Sequence, residues 1–159
     1  MKRRKQSPIH KPHYVAYVAA SIDGMISLTK NTRPDWTSKE DWKLFQNALS
    51  QADAVVVGRH TYEAAKKSLK NRNTFVFSTR FKRIQRKAGV TFLNPATVDV
   101  GELLRAYKNI VIAGGGGVYR SMLEKGLIDE LYVTVEPLVL GRGKEMFSGG
   151  TNTARLHLV

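Results

Sequence analysis

Apolar and polar positions change period several times along this chain. Residues 13–20, HYVAYVAA, are β-branched and aromatic with little charge, which predicts a strand. Residues 21–35 read as a loop turned by Asp23-Gly24. A helix is expected from about Thr37 to Ser50. Thr37 with Glu40, or Ser38 with Asp41, has capping-box spacing, and Trp42, Phe45, Ala48 and Leu49 recur on one face. Residues 53–57, DAVVV, form a short apolar run of the kind buried on both faces of a sheet. Further helices are predicted over 60–69, 100–107 and 117–125. Further strands are predicted over 74–78, 90–93, 109–113 and 129–136, with one more beginning at 155–159. Strand and helix alternate with short connections, which argues for an α/β fold around a mostly parallel sheet. The pattern supports a flexible basic arm over 1–12 and a single domain over 13–159.

The stretch VIAGGGGVYR places four glycines between a strand and a helix. Ligands of open α/β sheets bind beyond the carboxyl ends of strands, and a helix N-terminus offers unpaired N–H groups there. Bare glycine backbone lets a phosphate approach closely. A glycine-rich tight turn without a ligand is the alternative reading of these residues. Neither a Walker loop nor a strict G-x-G-x-x-G is present. A second strand end, Val57-Gly-Arg-His-Thr61, again leads into a helix, and Phe77-Ser-Thr-Arg80 ends the next strand. Parallel neighbours would set Arg59, Ser78, Thr79 and Arg80 along one edge, able to hold a phosphate monoester. Three such ends together suggest a dinucleotide carrying an extra phosphate, NADP(H).

Composition changes this picture little. The 159 residues carry 26 Lys+Arg against 13 Asp+Glu, a formal net charge of +13. Nine of those basic residues lie between Lys66 and Lys87, and four lie within the first five. A solvated basic surface with a disordered tail, or a polyanionic ligand, accounts for the excess; no nucleic-acid motif accompanies it. There are no cysteines, hence no disulfides or thiolate metal sites, and no apolar run is long enough to cross a bilayer. A cytoplasmic protein, without membrane or metal, is the expectation.

Gly58-Arg-His-Thr-Tyr-Glu63, Ser78-Thr79, Ala113-Gly-Gly-Gly-Gly-Val-Tyr119 and Leu131-Tyr-Val-Thr134, in this order and spacing, resemble dihydrofolate reductase of the bacterial chromosomal kind. The resemblance runs from about Tyr14 to Phe147. It implies a three-layer fold with helices on both faces of the sheet, its final strand hairpin shortened here. It also implies NADPH bound by Gly58, Arg59, His60, Thr61, Ser78, Thr79, Arg80, Gly114, Gly115, Gly116, Gly117, Val118 and Tyr119, with Tyr119 beside the nicotinamide. On the substrate side, Trp36-x4-Asp41-x3-Phe45 keeps the family's spacing. Asp41 and Phe45 are one helical turn apart, so a carboxylate and an aromatic wall face the same way. By resemblance, Asp41 and Thr134 are catalytic, and Ala20, Trp36, Phe45 and Arg72 bind substrate, Arg72 clamping a tail carboxylate.

Residues 124–147 look more like riboflavin-pathway pyrimidine reductases, which share the fold. The resemblance therefore implies reduction of 7,8-dihydrofolate, or alternatively of a ribosylaminopyrimidine. A non-catalytic nucleotide or nucleic-acid binder is the alternative from another class. The strand edge left by the shortened hairpin suggests a homodimer.

Overall fold

The computed structural model describes residues 11–28 and 35–159. The expected basic arm, apart from its last two residues, lies outside the described residues. The elements are β1 (His13–Ser21), β2 (Met25–Ser27), α1 (Lys39–Gln51), β3 (Ala54–Gly58), α2 (Arg59–Ala65), β4 (Thr74–Phe77), β5 (Gln85–Lys87), β6 (Val90–Leu93), α3 (Val100–Leu104), β7 (Asn109–Ile112), α4 (Gly116–Glu124), β8 (Glu130–Glu136) and β9 (Lys144–Glu145).

Seven strands form one sheet in the order β5-β6-β4-β3-β7-β1-β8. Its neighbouring pairs are parallel except β5–β6. The strand period of two sorts side chains between two cores. Ala54 and Val56 join Phe75, Phe77, Leu104, Ile110, Ile112 and Met122 on the α3–α4 face. Val55 and Val57 join Leu49, Leu69, Val76 and Val111 on the α1–α2 face. The apolar run of β3 is thus buried on both sides, and the expected three-layer α/β architecture is what the chain adopts.

Four expectations are corrected. The loop over 21–35 contains β2, which pairs antiparallel with β9 because that partner comes from far along the chain. The helix expected over 60–69 stops at Ala65, where Lys66, Lys67 and Lys70 begin to crowd like charges a turn apart. β5 was not expected; its three residues are exposed and polar, and only pairing with β6 orders them. Residues 155–159 form no strand, since no neighbouring strand pairs with them.

Ser38 caps α1, its Oγ accepting from the Asp41 N–H at 3.2 Å. The buried Glu136 carboxylate, at the end of β8, accepts from the Ser38 N–H at 2.6 Å. That bond fixes the start of α1 against the sheet. No helix among the described residues is long and apolar enough to cross a membrane.

Candidate active site

A cleft of about 770 Å³ opens along the carboxyl ends of the parallel strands, between the sheet and helices α1 and α2. Its floor follows strand order. Register sets Gly58 opposite Phe77, so Arg59 and Ser78 leave neighbouring strand ends side by side. The Gly58 N–H donates to the Gly114 carbonyl at 2.7 Å, joining the end of β3 to the glycine turn after β7. Ala19 and Thr134 then continue the line on paired β1 and β8.

The glycines of the turn do different work. Gly114 has φ +93, and a Cβ there would lie 2.8 Å from the Tyr119 hydroxyl, so both backbone and space require glycine. The peptide between Gly114 and Gly115 is cis. At Gly116 a Cβ would run into the Glu145 carbonyl and the Ser148 hydroxyl. At Gly117 it would meet open space. The first turn of α4 therefore presents bare backbone to the cleft.

Tyr119 backs this turn. It is buried, and its hydroxyl donates to the Tyr17 carbonyl at 2.6 Å. Burial, with the charge of Asp41 second, pushes its phenol far above the ordinary value, so it stays a neutral donor. Val118 is buried behind Gly58.

At the far end of the cleft, Arg59, His60, Thr61, Ser78, Thr79 and Arg80 line the wall. The Arg59 guanidinium lies 2.8 Å from the His60 ring, and the Ser78 Oγ accepts from the Arg80 N–H at 3.3 Å. Neither arginine pairs with a carboxylate among the described residues. Two cations beside two hydroxyls at strand ends form a donor set suited to a phosphate monoester. With the open backbone at Gly117, the residues present fit a phosphorylated dinucleotide.

On the opposite side, α1 brings Asp41, Trp42, Leu44 and Phe45 to the cleft. Trp42 and Phe45 meet at 6.3 Å between ring centres, tilted by 50°. Thr134 faces the same space, and no hydrogen bond joins it to Asp41, so both polar groups remain available to a ligand. Asp41, Phe45 and Thr134 are thus gathered around one cavity with the glycine turn.

Three residues expected on the substrate side are not on the cleft. The Arg72 guanidinium donates instead to the Leu49 carbonyl, and through Nε to the Ser68 carbonyl at 3.2 Å. It fastens the carboxyl end of α1, whose last carbonyls have no partner within the helix. Ala20 is buried, because the even positions of β1 pack into the core. Trp36 precedes α1 outside the cavity.

β1 lines the cleft with Tyr17, Val18 and Ala19. Tyr17 stacks on Tyr132, with ring centres 5.0 Å apart and planes within 9°. Strand alternation carried this signal, since Tyr132 precedes Thr134 by two. Lys144 and Arg120 also line the cavity and had no sequence signal.

The turn at Asp23-Gly24 is tied to the segment after β8. Asp23 accepts from the Ser21 Oγ at 2.5 Å, the Leu140 N–H at 3.1 Å and the Gly141 N–H at 2.7 Å. The Ser21 bond first, then the Leu140 bond, hold its carboxyl below the ordinary value.

A family model described as "RibD C-terminal domain" matches residues 12–159. An uncharacterized protein of Bacillus subtilis (strain 168), YwjB, is 32% identical over 154 residues, covering 91% of this chain and 87% of that protein. Among solved structures, a pyrimidine reductase-like protein from Corynebacterium diphtheriae superposes with a TM-score of 0.69 at 20% identity, over 92% of this chain and 85% of that one. Dihydrofolate reductase from Enterococcus faecalis superposes with a TM-score of 0.63 at 23% identity, over 87% of this chain and 78% of that one. At these identities the two structures speak for the shared fold.

Proposed function

Because the chain belongs to the RibD C-terminal domain family, we propose that it is an NADPH-dependent reductase acting on a ribosylaminopyrimidine. One observation carries the reading. A single cavity joins the glycine turn and the Arg59–Arg80 phosphate seat to a carboxylate, a threonine and an aromatic wall.

NADPH, when bound, supplies the hydride. Arg59, Ser78, Thr79 and Arg80 would hold its adenosine phosphate, and the backbone of Gly114 to Gly117 its pyrophosphate. Asp41 accepts the amino edge of the pyrimidine, while Phe45 and Trp42 cover the ring face. An aminopyrimidine N-glycoside opens to an imine whose C=N carbon accepts hydride, and the nitrogen then needs a proton. Asp41 promotes that protonation through water. Thr134 adds a hydroxyl to orient the ring. The chain supplies placement and field for chemistry that belongs to the cofactor.

Two facts favour this substrate over dihydrofolate. The family is that of the RibD C-terminal domain, and Arg72, the expected clamp for a folate tail, is spent on the Leu49 and Ser68 carbonyls. Dihydrofolate remains the second reading, supported by Asp41, Phe45 and Thr134 meeting in the cleft.

The test is loss of NADPH absorbance with purified protein and each substrate in turn. Turnover of the aminopyrimidine but not of dihydrofolate is expected. Turnover of dihydrofolate alone selects the second reading. Turnover of neither, with salt-sensitive binding of RNA, would make the protein a binder.

A further inference from the structure

No Asp or Glu occurs from Ala64 to Val98, while nine Lys and Arg crowd between Lys66 and Lys87. Eight of the nine are exposed; Arg72 is the partly buried one, held by its carbonyl partners. Of those eight, Lys66 alone pairs with a carboxylate among the described residues, that of Glu63 at 2.5 Å.

The fold gathers these charges around one end of the cleft. Lys66, Lys67 and Lys70 flank Ser68 and Leu69, which line its wall. Arg80 lines it as well, and Lys82 and Arg83 follow in the chain after β4. Aromatic contacts join the two groups. The Lys66 Nζ lies 5.5 Å from the centre of the Tyr62 ring, Tyr62 meets Phe92 edge-on at 5.7 Å, and Phe81 meets Phe92 at 5.1 Å. Register sets Lys87 opposite Val90, on the face of β6 that carries Phe92. The cations thus form a belt outside the Arg59–Arg80 end of the cavity.

Lys67, Lys70, Lys82, Arg83, Arg86 and Lys87 do not line the cavity themselves. Their charge acts at longer range. A surface of one sign around a low-dielectric cleft concentrates oppositely charged ligands at its mouth and speeds their association. With a Debye length of about 10 Å at 0.1 M salt, charges beside the mouth act without touching the ligand.

We propose that this belt is an electrostatic funnel that captures the anionic cofactor and delivers it to Arg59, Ser78, Thr79 and Arg80. The proposal rests on the reading of that end as a cofactor phosphate seat. NADPH carries its negative charge on the pyrophosphate and the adenosine phosphate. The field therefore draws that half in first, and the uncharged dihydronicotinamide settles afterwards beside the glycine turn. The belt sets how fast the cofactor arrives, and the cleft residues set how long it stays.

The test is stopped-flow association of NADPH with the full chain, followed by cofactor fluorescence. Three double variants each remove two exposed charges. Lys67→Gln/Lys70→Gln and Lys82→Gln/Arg83→Gln take them from the belt; Lys108→Gln/Lys125→Gln takes them from the ends of elements that point away from the cleft. At low salt each belt variant should slow association about 3-fold and their combination roughly 10-fold, with dissociation unchanged. The differences should vanish above ~0.5 M salt. Lys108→Gln/Lys125→Gln should associate like the unaltered chain. The two belt pairs lie on different segments, so either one tests the funnel by itself. An association rate that survives the combined substitution overturns the funnel. So does a loss carried by faster dissociation, which marks contact, or an equal slowing in Lys108→Gln/Lys125→Gln, which marks net charge alone. An unaltered chain that binds no NADPH overturns the cofactor reading and the funnel together, whereas binding indifferent to the belt overturns the funnel alone.

Discussion

Replacing Asp41 by asparagine keeps the shape of the side chain and removes its charge. If that carboxylate anchors the pyrimidine edge and promotes protonation, Asp41→Asn should lower turnover by roughly 10²- to 10⁴-fold. Affinity for NADPH should stay near its starting value, because the proposed phosphate seat lies at the other end of the cleft. Steady-state rates and a fluorescence titration with NADPH check the two halves. The glycine turn allows a paired test. Gly117→Ala adds a methyl into open space, so the thermal midpoint should hold or rise, alanine being the better helix former. NADPH affinity should fall, since that methyl occupies the approach to the backbone. Gly114→Ala should instead destabilise the fold by about 1–3 kcal/mol, because its φ of +93 is strained for any side chain and Tyr119 is in the way. Melting curves separate the two.

Elements meet here through single polar side chains. Glu136 at the end of β8 holds the capping residue of α1, which orients the helix that carries Asp41 and Phe45. Thr134, two residues earlier on the same strand, therefore stays in step with Asp41 across the cleft. Arg72 does the matching task at the other end of α1, by donating to the Leu49 carbonyl. Arg72→Ala should cost about 1.5–3 kcal/mol in urea unfolding, the usual loss for hydrogen bonds from a charged group. The KM for substrate should be unchanged. A raised KM with unchanged stability would mean that Arg72 reaches the substrate after all.

For the molecule as a whole, the buried tyrosines set an alkaline limit. Burial first, then Asp41, raises Tyr119; burial first, then Asp129 and Asp99, raises Tyr14. Below the ordinary phenol value of 10.0 both states hold these protons, and the contribution is fully present. Above it the unfolded chain loses them while the fold keeps them, so stability falls as pH rises. Each such group can remove up to about 1.4 kcal/mol per pH unit. Unfolding midpoints measured from pH 8 to 11 should hold at first and then drop beyond pH ~10, and Tyr119→Phe should make that drop shallower.

The linear order of residues determined what depends on near neighbours. The double burial of β3 was legible in DAVVV, the start of α1 in Ser38 and Asp41, and the strand ends that line the cleft in Gly58-Arg59 and Ser78-Thr79. Period and capping act over three or four residues, so one sequence reveals them. Tertiary structure alone decided which ends lie side by side. The strand order brings the Gly58 N–H to the Gly114 carbonyl across more than fifty positions, and Glu136 to Ser38 across almost a hundred. It also turned Arg72 from the cleft to a helix end, set the stacked Tyr17 and Tyr132 rings on the cleft, and left residues 155–159 without a strand beside them among the described residues. Those outcomes follow from the packing of distant segments competing for the same donors and faces, a competition that no local pattern records.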